Sequence, residues 1–281
     1  MLYFQLKNEL WKLFAKKRTY IGFIMLLLAQ FLIVSLLRYT PAAHQSLLRA
    51  FRHGGLGAGQ QYLSMLTIAT TMAVVLAYTM LPLYVALIGG DLVSKETEDG
   101  TLRMILSRPV SRSRLLCVKW LAGLIFSIVL VTILAAGGLL FSGLFFPPTG
   151  GLFAQMPGQD FAVYNFSDGL GHFLVAHLFL IVKAVTIMSL AFMLSCFNMK
   201  PAAATILALS LFLIDRILME MPYFANLKLC FIGYHLNLWQ LIFLPVIPWW
   251  SIGESFGILL GFSLTCLIIG VAVFQVRDIK S

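Results

Sequence analysis

Residues 89–120 read GGDLVSKETEDGTLRMILSRPVSRSRLLCVKW, and they gather Asp91, Lys95, Glu96, Glu98, Asp99, Arg103, Arg108, Arg112, Arg114 and Lys119 into one short stretch. The chain around them is 60% hydrophobic and only 11% charged. A loop that merely orients a membrane protein needs basic residues alone, yet this one also holds four of the 11 acids. Both charge signs on a compact corner suit a docking surface for a soluble partner, where charge complementarity fixes register. Leu92 and Val93 continue the apolar character of the preceding run, and SKETEDG then turns hydrophilic. Gly100 is suited to a helix C-cap or sharp bend. TLRMILS predicts a second short element with Leu102, Ile105 and Leu106 on one face; Pro109 ends it, and Ser111 or Ser113 can cap the next helix.

Other residues with chemical potential are sparse. Lys183 and Asp215 stand inside apolar runs, where an ionisable group must face protein or water. At 1.5 Å per residue Lys183 lies roughly 18 Å and Asp215 roughly 9 Å from the outer end of their runs, so pairing requires snorkelling outward. An intramembrane ion pair and a charge on a substrate path are both open readings. His172 and His177 are five apart, about 140° around a helix, and H-E-x-x-H is absent, so no metal is expected. GESFG (253–257) matches the nucleophile-elbow string, but it opens an apolar helix instead of a strand-to-helix turn. Cys117, Cys196, Cys230 and Cys266 are scattered, which indicates neither a disulfide framework nor a zinc site.

The elements that must position these groups are membrane helices. The 281 residues have a mean hydropathy of +0.93 and several uncharged runs near the roughly 20 residues a bilayer core requires. The expected fold is all-α and polytopic, one transmembrane domain over 1–281 with six spans: 19–37, 62–90, 115–146, 171–197, 201–221 and 252–276. The net charge of +9 records topology, not nucleic-acid binding. Fourteen of the 20 basic residues fall on one side: five in 7–18, six in 91–119, then Lys200, Arg277 and Lys280. That bias places both termini and the charged corner in the cytoplasm. KKRTYIGFIMLLLAQFLIVSLL reads as an uncleaved first span.

Residues 1–18 carry Leu6, Leu10, Leu13 and Phe14 at helical spacing, an amphipathic interfacial helix or else a bare topology signal. Lys228, His235, Asn237, Gln240 and three prolines interrupt 222–250, which is expected to be re-entrant on the outer face. Gly253, Gly257 and Gly261 recur every four residues, a small-residue face for close helix packing, and Gly137 and Gly138 can act similarly. Pro82 and Gly89–Gly90 are expected to kink or loosen the second span, as a joint that helps the corner move or, equally, as tolerated packing.

The stretch Glu96–Arg112, with Lys119 heading the third span, resembles the type-2 ATP-binding-cassette (ABC) permeases, the membrane subunits of bacterial ABC transporters. The family pattern is Glu, Gly-Thr four residues on, a Leu-rich step, Pro-Val-Ser-Arg and Gly-Lys; here Val118 replaces that last glycine. KNELWKLFAKKRTY is similar to the family's connector helix. The resemblance implies that 91–107 is a coupling helix seated on an ATPase subunit. Glu96, Gly100 and Thr101 are then motif positions, with Leu102, Arg103, Arg108, Pro109 and Arg112 around them. It also implies a second permease chain, identical or not, in a bacterial inner membrane, and favours export.

The chain lacks G-x-x-x-x-G-K-[ST], so ATP and Mg are expected on the partner and no cofactor on this chain. A non-transporting scaffold or sensor would carry the same docking loop. An intramembrane enzyme would need convergent ionisable groups that the sequence does not supply. The aromatic outer segment and the few polar groups in the spans favour an amphipathic or hydrophobic cargo.

Overall fold

The computed structural model describes residues 2–41, 45, 49, 62–102, 111–155 and 161–276. Arg103, Arg108, Pro109, Arg277 and Lys280, all used in the sequence reading, lie outside these residues. The chain is an all-α polytopic membrane protein: five helices are long and apolar enough to cross a bilayer, six when one bent pair counts as a single span. In order they are α1 (Leu2–Ala15), α2 (Lys17–Tyr39), the pair α3 (Met65–Tyr78) and α4 (Met80–Glu98), α5 (Arg112–Phe145), α6 (Phe166–Cys196), α7 (Pro201–Glu220) and, after a short α8 (Ile232–His235), α9 (Trp249–Val276).

Helix α6 is the centre, with 67% of its most apolar stretch buried against 17% for α7. Helices α4, α5, α7 and α9 pack on it, and Phe173, Leu180, Ala184, Met188 and Phe192 are its fully buried contacts. Exposed leucines and isoleucines of α2, α7 and α9 lie on the outer surface. This is the expected distribution where lipid, not water, is the solvent.

The second span runs further and breaks earlier than its sequence suggests. Pro82 has no N–H and its ring crowds the carbonyl of Tyr78 four residues back. The helix is interrupted at Thr79 (φ −110°, ψ −74°), and its halves bend by 44°. Gly89 and Gly90 are not a loose joint. A Cβ on Gly89 would lie 2.6 Å from the Met188 carbonyl and 2.9 Å from the Ala191 side chain, and one on Gly90 would collide with Thr205. Glycine there lets α4 touch α6 and α7 backbone to backbone. Residues 91–98, expected to begin a separate coupling helix, continue α4 without a break. The helix stops at Gly100, whose φ of +70° favours glycine.

Local chemistry sets the other ends. Ser64 Oγ accepts the Thr67 N–H and donates to the Gly151 carbonyl at 2.6 Å, capping α3. Pro201 occupies the first turn of α7. Ser111 stands at the N-cap of α5, but its side chain makes no capping bond. An antiparallel hairpin, β1 (Leu152–Gln155) with β2 (Phe161–Tyr164), lies in the connection between α5 and α6. The Phe153 N–H donates to Thr67 Oγ1 at 3.0 Å, fixing the hairpin to α3.

Residues 222–243 fold as short pieces: an exposed 3-10 stretch (Pro222–Cys230), α8, and a 3-10 turn (Leu238–Phe243). Trp239, Ile242 and Phe243 of that turn are buried, and the turn packs against α6 and α9. No piece has the length of a span.

A Cβ placed on Gly253, Gly257 or Gly261 would meet no atom within 4 Å among the described residues, so the glycine face of α9 is open within this chain. Two substitutions therefore separate the two kinds of glycine. Gly89→Val is expected to cost about 1–3 kcal/mol through overpacking, read as a lower melting temperature of the detergent-purified chain. Gly257→Ala should leave that temperature unchanged.

Candidate functional site

The charged corner is built from three elements. Thr19 Oγ1 donates to the Leu13 carbonyl at 2.8 Å, fixing the turn from α1 into α2. Phe14, Phe23 and Phe126 pack together above it, with Phe23 and Phe126 stacked at 5.6 Å, which seats α1 on α5. The same face of α1 presents Glu9, and α5 presents Lys119, 1% exposed.

Four side chains then close a ring. Lys119 Nζ lies 2.8 Å from Glu9 Oε2 and 2.8 Å from Glu96 Oε2; Lys12 Nζ lies 2.7 Å from Glu9 Oε1 and 3.3 Å from Glu96 Oε1. Each carboxylate bridges both ammonium groups, so the ring is formally neutral. Burial pushes the Glu9 carboxyl up, but Lys119 and then Lys12 outweigh it and hold the group below its ordinary 4.5. Burial likewise lowers Lys12, and Glu9 and Glu96 overcome it, so the ammonium is held above 10.5. A further pair, Arg18 with Asp91, ties the start of α2 to α4. A charged cavity of about 320 Å³ lies between these groups, walled by Lys16, Asp91, Lys95 and Asp99 among others.

The residues expected to couple to a partner divide by direction. Glu96 faces inward to the ring, and Leu102 is buried. Thr101 Oγ1 donates to the Glu96 carbonyl at 3.3 Å, closing the turn that Gly100 permits. Lys95, Glu98 and Asp99 face outward, with Lys95 Nζ 2.8 Å from Glu98 and 3.2 Å from Asp99. Arg112 donates to the Gln275 carbonyl at 3.1 Å, joining the start of α5 to the last turn of α9, where backbone carbonyls attract a cation. The structure thus brings together Glu96, Gly100, Thr101 and Leu102, and sends Arg112 to another helix.

Sequence reasoning misses Glu9 and Lys12 as partners of Glu96 and Lys119. A signal exists: Glu9 is the only acid in residues 1–18 and lies one helical turn from both Leu6 and Leu13. An acid on the apolar stripe of an amphipathic helix requires a buried cation opposite.

Of the two readings open for Lys183 and Asp215, the ion pair between them does not form. Asp215 accepts the Gly233 N–H at 2.6 Å, and Lys183 Nζ sits over the Tyr78 ring, 4.2 Å from its centre. The α8 backbone donor, nearer to Asp215, takes the carboxylate. His172 and His177 each meet a backbone carbonyl, of Ile242 and Phe173 respectively, at 2.7 Å. Ser255 of GESFG lies within α9 and bonds His235 Nδ1 at 3.0 Å, while His235 Nε2 meets the Leu229 carbonyl, not an acid.

Residues 6–279 match the family model described as "ABC-2 family transporter protein". A 120-residue stretch, 40% of this chain, is 32% identical to "Uncharacterized protein YhcI" of Bacillus subtilis (strain 168). That match spans 36% of the relative's length.

The ring makes two predictions. Lys119→Met leaves two carboxylates facing one ammonium and should cost about 3–5 kcal/mol; adding Glu9→Gln should recover part of the loss, both read as melting temperature in detergent. The stability that Glu9 contributes is full above its ordinary 4.5 and is lost as pH falls through its lower folded value. That of Lys12 is full below 10.5 and is lost as pH rises through its raised value. Melting temperature should therefore be flat from about pH 6 to 9 and fall on the acid side, with a shallower acid slope in Glu9→Gln.

Proposed function

The chain belongs to the ABC-2 family of transporter proteins, and on that premise we propose that it is a permease subunit driven by a separate ABC ATPase through the charged corner. One observation carries this reading: α4 runs unbroken from the Thr79 bend to Glu98, and its tip is clamped by the Glu9–Lys12–Glu96–Lys119 ring. A push on the tip is then shared by α1, α4 and α5 and does not dissipate in a mobile loop. The spans would rock as near-rigid bodies between two packings.

In this reading Lys95, Glu98 and Asp99 meet the ATPase, Gly100 and Thr101 shape the turn, and Glu96 and Leu102 stiffen it from within. ATP and Mg belong to the partner, since this chain has no phosphate loop. The lysine and arginine bias puts the corner and both termini in the cytoplasm, as in a bacterial inner-membrane protein. Two permease chains form the pathway, and the open glycine face of α9 is available for their close approach. Export is the direction that the family resemblance favours.

The test is purification of the affinity-tagged chain from native membranes, with mass spectrometry of what accompanies it. A protein with an ABC ATPase signature is expected with the parent. It should be lost in Glu98→Arg/Asp99→Arg, which reverses the outward charges and leaves the ring intact, at unchanged melting temperature. Recovery of no such protein, or equal recovery with the variant, would reject docking through this corner. Recovery without cargo-stimulated ATP hydrolysis would favour a scaffold over a permease.

A further inference from the structure

At the end of the molecule away from the charged corner, a cavity of about 330 Å³ opens between α3, α7 and the short pieces before α9. Its polar wall is formed by Tyr78, Arg216, Lys228, Asn237 and Gln240, and its apolar wall by Met219, Leu238 and Leu241. Gln240 Nε2 donates to the Tyr78 hydroxyl at 2.7 Å, and that hydroxyl donates to Asn237 Oδ1 at 2.9 Å, so the ring is held in a fixed orientation.

Two cations share this ring. Lys183 Nζ lies 4.2 Å and the Arg216 guanidinium 4.4 Å from its centre. Lys183 is 1% exposed and forms no ion pair among the described residues. A ring face offsets only part of the cost of burying a lone cation away from water. The one carboxylate on the cavity wall, Glu220, is largely exposed and stands 3.6 Å from Arg216. On the cavity wall itself Arg216 and Lys228 stand against Glu220 alone, which leaves the wall with an excess of positive charge. What is missing is an anion, and the cavity beside the ring has room for one.

We infer that this cavity binds an organic anion, a carboxylate or phosphate carried on an apolar body. The charged head would meet Arg216 and Lys228 beside the Tyr78 ring, and the apolar body Met219, Leu238 and Leu241. The long-range field of Lys183 adds to the attraction without contact. The position has a mechanical consequence. Tyr78 is the last residue of α3, immediately before the 44° bend that leads into α4. An occupant that holds Tyr78 and Arg216 fixes the upper side of that bend against α7. As a transport cargo the anion depends on the permease reading above; as a bound ligand it does not.

The test uses the full chain alone, without ATPase, in phosphatidylcholine nanodiscs. Binding of radiolabelled decyl phosphate is measured in competition with decanoate, decyltrimethylammonium and inorganic phosphate. Saturable binding displaced by decanoate and not by decyltrimethylammonium is expected. Arg216→Gln should weaken it by about ten- to a hundredfold, the loss of a charge-assisted contact. Lys183→Met, which keeps side-chain volume and removes only the charge, should weaken it to a smaller extent, with the melting temperature held or raised.

Equal displacement by decyltrimethylammonium, or parent-like affinity in both variants, would overturn the anion site. Displacement by inorganic phosphate as effective as by decanoate would overturn the apolar body and leave a free-anion site. Because no ATPase is present, each of these outcomes is independent of whether the charged corner docks one.

Discussion

An ammonium group cannot be left alone in a medium that does not solvate it, and Lys119 is where this protein meets that constraint. Its side chain is 1% exposed, deep enough that a missing counter-charge would cost several kcal/mol. Glu9 and Glu96 supply two carboxylates from opposite ends of a long sequence separation, and Lys12 balances the second. The positions of α1, the tip of α4 and the start of α5 follow from that requirement. Apolar packing alone would let α1 slide along its own axis; the stacked Phe14, Phe23 and Phe126 rings define a face but only weakly a register. A ring of four short ion pairs defines both.

The close approach of α4 to α6 and α7 complements this clamp. With no side chain at Gly89 or Gly90, the backbone of α4 rests on Met188, Ala191 and Pro201, and Ser94 Oγ donates to the Ser195 carbonyl at 3.0 Å. Side chains hop between rotamers, but a backbone-to-backbone contact has little freedom to deform. The lower half of the second span is therefore held on one flank by glycine packing and at its tip by charge. The two halves of the span meet at Thr79, where Pro82 has already broken the hydrogen-bond ladder.

Legibility from sequence follows the physics of each signal. The polytopic all-α architecture is plain because a run of about 20 apolar residues has few other fates. Gly100 reads correctly as a helix end, since a positive φ at the close of a helix selects glycine. Gly89–Gly90 reads as either a joint or a packing contact because a glycine pair signals both, and the partner helices decide for contact. The bend is traceable to Pro82 but falls at Thr79, because proline disrupts the turn before itself. The 152–164 hairpin is hidden because short apolar runs in a connection have no distinctive period. Charge alone pairs Lys183 with Asp215, yet depth and a nearer backbone donor separate them. The motif assigns Glu96 to the docking surface because it gives residue type and not rotamer. The inward ring depends on Glu9 and Lys119, 87 and 23 residues away in sequence.

Helix α4 links the two charged regions of the molecule. It has 19 residues, about 28 Å at 1.5 Å per residue, with the Tyr78 bend at one end and Glu96 near the other. An α-helix of that length is stiff against the few kcal/mol available from a docking event or a bound ligand, so a displacement at either end is transmitted and not absorbed. The two ends differ in how they are held. The Glu96 end is neutralised within the chain, while the Tyr78 end gathers Lys183 and Arg216 around one ring, with no acid paired to Lys183 among the described residues. A neutral, four-way clamp holds its end in the same way whatever is bound elsewhere, as the proposed coupling would require. An end with uncompensated charge changes energy when an anion arrives. Where one stiff helix connects the two, any packing of α4 favoured by an anion at Tyr78 is also the packing presented at Glu98 and Asp99, and by linkage the converse holds equally.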